Sequence, residues 1–472
     1  MPINTLHADY LARAPEWRTC RDAIAGQRAI HAATTTYLPR LSEQTSDEYD
    51  AYLMRANWFP ATARTLEGMV GMVFRKSPIF DAPDALGVLA QDITLAGVDL
   101  DALSRRVLLE VLGVGRVGLL VEFPRVNEQP MNAAAAAASN LRPYVSVYTA
   151  EEIVNWRIER VNNVMQATLV VLAETYDEPT DEFSYETREQ YRALMLTDKG
   201  YVQRVYRTNA NGTWEQFGPE IIPRKNGAAL DFIPFYAFGP QRNDLTMQQS
   251  PMLALADLNV SHYRSTADLE NGAHFTGLPT PFIAGLTLEM GESITLGSSR
   301  AIIAPDPSAR AMFLEFTGSG LSALENRCAQ KEAQMAAIGA RMLAPEKTGV
   351  EASDTLRMRH TGEMSVLAGM AMLISDGITQ MLQFIAEWAG IGGEVRFELN
   401  TDYVPEGITA QELSELVKSW QSGAISWETL FENLQRGEII DEKILPDEER
   451  ERIDSEPPRM TAPLQRTEPG GV

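Results

Sequence analysis

Residues 248–275 read QQSPMLALADLNVSHYRSTADLENGAHF, and the reading of this stretch decides the fold. Pro251 suits a first helical turn, where its missing N–H would have no partner anyway. Leu253, Leu255, Leu258 and His262 then fall near one face at three-to-four spacing. Gly277, Pro279 and Pro281 forbid continuation, so a single long helix is expected over 248–277. The next stretch, PTPFIAGLTLEMGESITLGSSRAIIAPDPSARAMFLEFTGSG (279–320), has short β-branched and aromatic runs cut by Gly and Pro. That pattern belongs to strands and turns. Helical composition returns from Leu321 to about Leu343, breaks over APEKTGVEAS (344–353), and resumes from about Asp354 to Trp388. At about 1.5 Å per residue, each of the first two helices is roughly 35 Å long, enough to hold the β insertion away from a main body.

Working outward, a helical pattern over Asp9 to Ala33 carries an expected break near Pro15, and Thr34, Thr35 and Thr36 suggest a β-prone connection. A helix should start at Ser46 with Tyr49, Tyr52, Leu53 and Ala56 on one face, and another at Pro60 with Leu66, Met69, Val70 and Val73 inward. From Asp99, DLDALSRRVLLEVLGVGRVGLLVEFP reads as helix then strand. Gly113, Gly115 and Gly118 inside it make a G-x-G-x-x-G pattern, but a dinucleotide fingerprint needs strand, glycines, then helix. The order here is reversed, so Gly113 is expected as a helix C-cap and no cofactor is implied. Strands are expected at Pro143–Tyr148, Val164–Ala173, Tyr191–Leu196, Tyr201–Tyr206 and Ile233–Phe238, with Asn211-Gly212 as a hairpin turn. NEQPMNAAAAAASN (127–140) reads as a surface loop or a short frayed helix, and the acidic DEPTDEF (177–183) as a loop. Beyond the long helices, Val395–Leu399 is a strand that could return to the larger sheet. Thr409–Trp420 and Ser426–Leu434 form a helical pair, with Ser426 and Thr429 as caps.

The 472 residues allow two to four domains, and the 44% hydrophobic content supplies ample core. Cys20 and Cys328 lie far apart in helical contexts and are expected as buried thiols. MPINTLHADYLARAPEW (1–17) has no basic-then-apolar order, so no signal peptide is expected, and the most apolar run, 364–375, is too short to span a bilayer. His7, His31, His262, His274 and His360 are scattered without metal spacing, and neither a P-loop nor a G-x-S-x-G elbow occurs. No catalytic, cofactor-binding or metal site is therefore expected. The formal charge of −23 lacks the basic face of a conventional nucleic-acid binder. An acidic surface repels phosphate where a basic one would hold it.

The order of long helix, β insertion, long helix, charged loop and very long helix resembles the portal proteins of tailed bacteriophages, the head-to-tail connector rings through which DNA is packaged. YLPRLSEQTSDEYDAYLMRANWFPATARTLEGMVGMVFRKSP (37–78) is similar to a short-tailed-phage subgroup. ITAQELSELVKSWQSGAISWETLFENLQRGEIIDEKILPDEERERI (408–453) looks like the family's usual ending. The resemblance implies an α+β portal architecture. It would comprise a wing over 1–247, a first stem helix 248–277, a clip 278–319, a second stem helix 320–343 and a tunnel loop 344–353. A long wing helix and strand (354–404), a crown-like helical region (405–455) and a disordered tail (456–472) would follow. It places Glu346, Lys347, Thr348 and Gly349 at the DNA channel, and Thr287, Glu289, Glu292, Arg300, Asp306 and Arg310 where terminase and adaptors dock. The implied partners are copies of the chain in a ring of twelve, double-stranded DNA, terminase, head-completion or tail adaptors and the major capsid protein, with no membrane. ATP hydrolysis in that family belongs to the terminase. Two other readings stay open: another capsid-vertex component such as a minor head protein, and a metal-dependent hydrolase with an acidic cleft.

Overall fold

A computed structural model describes residues 2–124, 139–277, 280–284, 308–314, 319–341, 365–403, 410–421, 424–436, 439–440 and 444–455. The chain is mixed α/β and divides into two compact units, Met1–Thr401 and Asp402–Val472.

The first unit opens with α1 (Ala8–Ala25) and α2 (Gln27–Ala32). Helix α1 runs straight through Pro15, because burial of Trp17, Cys20 and Ala23 outweighs the one backbone hydrogen bond that proline removes. The break expected near Pro15 falls instead at Gly26, whose φ of +87° ends the helix. Thr34–Thr36 form a single 3₁₀ turn rather than an extended connection. Helix α3 (Ser46–Arg55) starts on a reciprocal cap: Thr45 Oγ1 accepts from Glu48 N, and Glu48 Oε2 accepts from Thr45 N at 2.8 Å. Its Tyr49 and Tyr52 face inward, as the periodicity predicts. So do Leu66, Met69, Val70 and Val73 of α4 (Ala61–Val73).

Strand β1 (Ile79–Asp81) and α5 (Asp84–Ala90) lead to α6 (Leu100–Gly113), capped by the Asp99 carboxylate, which accepts from Ala102 N at 2.7 Å. Helix α6 continues through Gly113, and the left-handed residue that ends it is Gly115, with φ +87°. The G-x-G-x-x-G pattern therefore serves packing. A Cβ on Gly118 would sit 2.1 Å from Phe235 Cζ, so the aromatic ring lies directly on the glycine backbone.

Strand β2 (Val117–Glu122) is buried along its whole length and pairs with β3 (Tyr144–Thr149). Next come β4 (Ile153–Val161), β5 (Val164–Pro179), β6 (Tyr185–Thr197), β7 (Gly200–Thr208) and β8 (Trp214–Ile221). These five form an antiparallel sheet in sequence order. Strands β5 and β6 extend well past the predicted runs: Asp177–Pro179 of DEPTDEF is paired strand, and only 180–183 form the expected loop at the tip of the arm. Arg188 bridges Glu178 and Glu186 along that arm, and Arg207 sits 3.6 Å from the Tyr176 ring centroid and 3.9 Å from that of Phe217. The expected turn at Asn211-Gly212 is present between β7 and β8. After β9 (Arg224–Lys225) and β10 (Ala228–Ala229), β11 (Phe235–Phe238) adds to β2, giving a three-stranded sheet β11-β2-β3.

A buried ion cluster joins the two larger sheets. Arg192 on β6 sends Nε to Glu174 Oε1 at 2.6 Å and Nη2 to Glu174 Oε2 at 3.2 Å, while Nη1 reaches Glu122 Oε1 at 3.2 Å. Tyr148 Oη and Gln190 Nε2 donate to Glu174, and Ser146 Oγ donates to Glu122. Each charge is thus paired and hydrogen-bonded, the condition under which buried ions are tolerated.

The remaining elements of the first unit are α7 (Leu253–Gly277), β12 (Thr280–Ala284), β13 (Arg310–Leu314), α8 (Ser319–Arg341), α9 (Val366–Ala389) and β14 (Arg396–Glu398). Strand β14 does not return to the large sheet; it pairs with β1, and Thr379 and Ser375 of α9 bind the backbone of Phe397 and Leu399. No helix among the described residues is long and apolar enough to cross a membrane. The second unit contains α10 (Ala410–Gln421), α11 (Trp427–Arg436) and α12 (Pro446–Ser455). Trp420, Trp427 and Phe431 pack ring to ring, and Ser426 Oγ caps α11 by accepting from Thr429 N at 3.1 Å.

Candidate functional site: the helix pair and its hairpin

Helix α7 is the axis of the helical body. Its Leu253, Ala256, Val260, Tyr263 and Ala267 pack into one core with Cys20, Ile30, Tyr37, Leu38, Tyr49, Tyr52 and Trp58. Polar side chains fix its rotation. Asn259 Oδ1 accepts from the Thr62 backbone N–H and hydroxyl, its Nδ2 donates to Phe59 O, and Arg264 Nε donates to Tyr37 O at 2.7 Å. Tyr52 Oη donates to Asp268 at 2.6 Å, and Arg55 reaches Asn271. Beyond Ala267 the helix buries no further residue.

Helix α8 lies antiparallel against α7. Leu321 Cδ2 packs over Gly272, where a Cβ would come within 2.8 Å, whereas ten residues later Lys331 Nζ donates to Ser261 O and Ser265 Oγ, both at 2.7 Å. Beside it His262 Nε2 meets Glu332 Oε1 at 3.1 Å, and burial holds the imidazole pKa below its ordinary value although Glu332 works the other way. At its far end Gly339 packs on the Thr65 methyl. Between the two helices, at the end where α7 finishes and α8 begins, β12 and β13 pair from Thr280↔Leu314 to Ala284↔Arg310. Phe282 and Met312 face each other across this hairpin, 47% and 53% exposed. A helix pair thus rooted at one end in the helical body carries a β hairpin at the other.

Of the residues expected at functional positions, Arg310 is placed: it begins β13 opposite Ala284 and is exposed. Thr287, Glu289, Glu292, Arg300 and Asp306, and Glu346, Lys347, Thr348 and Gly349, lie outside the described residues. Both cysteines are free and buried, and burial raises the Cys20 thiol to about 11. Among the described residues no three metal-ligating side chains converge. A polar cavity of about 360 Å³ opens beside the ion cluster, lined by Glu122, Tyr144, Arg192, Gln203 and Arg224 among others. Its carboxylate and guanidinium already hold one another.

Residues 251–389, which span α7 to the end of α9, match a family described as a domain of unknown function (DUF4055). No curated protein sequence matches the chain. Among solved structures, a chain from the neck of an empty gene transfer agent particle is similar at 13% identity and TM-score 0.39, over 84% of this chain and 94% of that one. A chain from the virion of a native particle aligns over the same shares at 13% identity and TM-score 0.38. A chain from a native particle neck with C12 symmetry aligns at 14% identity and TM-score 0.35, over 85% and 94%. Likenesses of this strength do not establish a shared fold.

Proposed function

We propose that this chain is a structural subunit of a phage-type head-to-tail vertex, and specifically a portal: a closed ring of identical copies through which double-stranded DNA passes. The observation that carries the reading is the antiparallel pair α7 and α8 with a β hairpin at the end away from the helical body. Such a pair acts as a strut, and the hairpin presents exposed Phe282, Met312 and Arg310 at its end, away from the core that stabilises the chain. Helix α8 supports assembly, since Ala329, Ala333, Ala336, Ala337 and Ala340 are exposed and would let a neighbouring helix approach closely. Repeating one such heterologous contact closes a ring when the rotation permits. The charge of −23 per copy would then keep phosphate from adhering to the passage.

On this reading the 278–319 segment is the docking clip for terminase and adaptors, the 344–353 segment is the channel loop with Lys347 toward the DNA, and the ring holds twelve copies seated against the capsid protein. Negative-stain microscopy of the purified chain tests it. A ring with an axial pore is expected. A monomer at all micromolar concentrations would overturn the portal assignment, and an open, non-closing assembly would favour another vertex component.

A further inference from the structure

The five-stranded sheet carries an exposed aromatic knob at one end and reaches an aromatic pocket at the other. Strand β5 meets β4 only as far as Leu172, and β6 meets β7 only from Gln190 onward, so 175–179 and 185–189 run on as a two-stranded arm. All of 177–189 is exposed, and Phe183 at the tip is 89% exposed. The tip is nonetheless fixed. Thr180 N and Asp181 N donate to Ser184 O, while Asp181 Oδ1 accepts from Phe183 N at 2.8 Å and from Ser184 N at 2.9 Å. A large apolar ring held out in water, on a ribbon that is marginal by itself, has the form of an anchor for a complementary pocket.

The pocket is an open hollow of about 410 Å³ whose lining includes Lys225, Phe232, Tyr236, Gln380, Phe384 and Glu387. Phe232 and Phe384 meet edge to face at 5.1 Å, and Trp388 backs Phe384 at 5.2 Å. Trp388 Nε1 donates to Arg224 O at 2.9 Å, so the aromatic wall is set before any side chain enters. Lys225 Nζ donates to Glu387 at 2.6 Å and stands 5.5 Å from the Phe384 ring centroid. Among the described residues Glu387 is its one recorded acceptor, which leaves the ammonium two further N–H groups to give.

Strand register sets knob and pocket far apart on one copy. From Tyr185 the sheet runs five residues along β6 to Gln190, opposite Arg207, and then four along β7 to Gln203, opposite Ile221. At about 3.4 Å per residue, Ile221 lies roughly 30 Å from the tip of the arm. Arg224 lines the same polar cavity as Ile221, and Lys225 after it lines the aromatic pocket. The arm cannot fold back over that distance, because its strands are paired along their length. A second copy can supply what the first cannot. Each copy offers one knob and one hole at opposite ends of the same sheet, which is what a repeating head-to-tail contact requires.

We propose that Phe183 of one copy seats against Phe232 and Phe384 in the pocket of the next copy, with Glu182 turned to Lys225. This rests on the ring reading and deepens it, naming a contact that joins neighbours. Around a closed ring every knob is covered and every pocket filled.

Cross-linking between copies tests this. A Thr180→Cys copy, its thiol beside the knob, is mixed with a Gln380→Cys copy and treated with a short bismaleimide. Cys20 and Cys328 are buried and stay out of the reaction. The mixture should give a cross-linked dimer that neither variant gives alone. Adding Phe183→Ala to the Thr180→Cys copy should weaken that band at least about tenfold. The thermal midpoint should not move, since so exposed a ring supports no core. If the parent forms rings in negative stain but the mixture gives no dimer, the pocket serves another protein, and this proposal falls while the ring reading stands. If neither rings nor dimers form, both fall. A dimer band undiminished by Phe183→Ala overturns the anchor role.

Discussion

Helices α7 and α8 have nearly the same length, 25 and 23 residues, lie against each other, and differ in almost everything else. Helix α7 buries nine residues, among them Leu253, Leu255, Val260 and Tyr263, because the N-terminal helices enclose it. Helix α8 buries Cys328, Met335 and Gly339 among its described side chains and otherwise presents Ala, Gln and Glu outward. The pair is therefore a buried axis with an external rider, and helical propensity says little about which is which. Ala-rich α8 has good intrinsic propensity, whereas α7, with Asn259, His262 and Tyr263, owes its helix to tertiary packing.

The largest effect that would break this contrast is in the core. Leu255→Ala, at a position 1% exposed, should cost about 2–5 kcal/mol in urea unfolding, while Ala333→Gln on α8 should stay within about 0.5 kcal/mol. Equal losses would mean that α8 is as embedded as α7. A smaller effect concerns the join. Lys331→Ala removes two charge-assisted hydrogen bonds to Ser261 and Ser265 and should cost about 1–2 kcal/mol, less than full burial would give because the ammonium is partly wet. A double-mutant cycle with Ser265→Ala would show how much of that passes through the hydroxyl.

The smallest effect is the pH response of His262. Its folded pKa lies below the ordinary 6.5, so the unfolded chain takes up the proton first, and stability present above about pH 6.5 should be lost as pH falls toward the folded value. Glu332 opposes this loss and Lys331 adds to it. The urea midpoint should therefore drop between pH 6.5 and 5.5 in the parent and stay level in His262→Gln. A level parent curve would place the imidazole in water.

These contrasts also explain what could be read from the sequence. The faces of α3 and α4, the Ser426 cap and the stop at Gly277 were legible because each rests on a local rule about spacing or side-chain chemistry. Pro15 misled because a local rule lost to burial of Trp17 and Cys20 on the same helix. The distal halves of β5 and β6 were illegible because TYDEPTDEFSYETRE carries no apolar alternation. Its pairing is held by partners such as Arg188 and Arg207, which only the register brings together. Arg116 gave no signal beyond a cation between Gly115 and an apolar strand, and its burial exists only once Trp156 and Met247 arrive from far along the chain. Of the residues expected to meet DNA or docking partners, the described structure places Arg310 alone.

The enclosure of α7 by the N-terminal helices also sets an order in time. Tyr52 waits for Asp268, 216 residues later, and Cys20 for Ser250, 230 residues later. At roughly 5–20 residues per second, a ribosome needs about 10–45 s to deliver α7 after the first helices have emerged. Throughout that interval Trp58, Tyr49, Tyr52 and Ile30 have no native partner from α7. The nascent chain thus carries this apolar face uncovered by α7 until the residues near 267 clear the exit tunnel, and only then can its first core close.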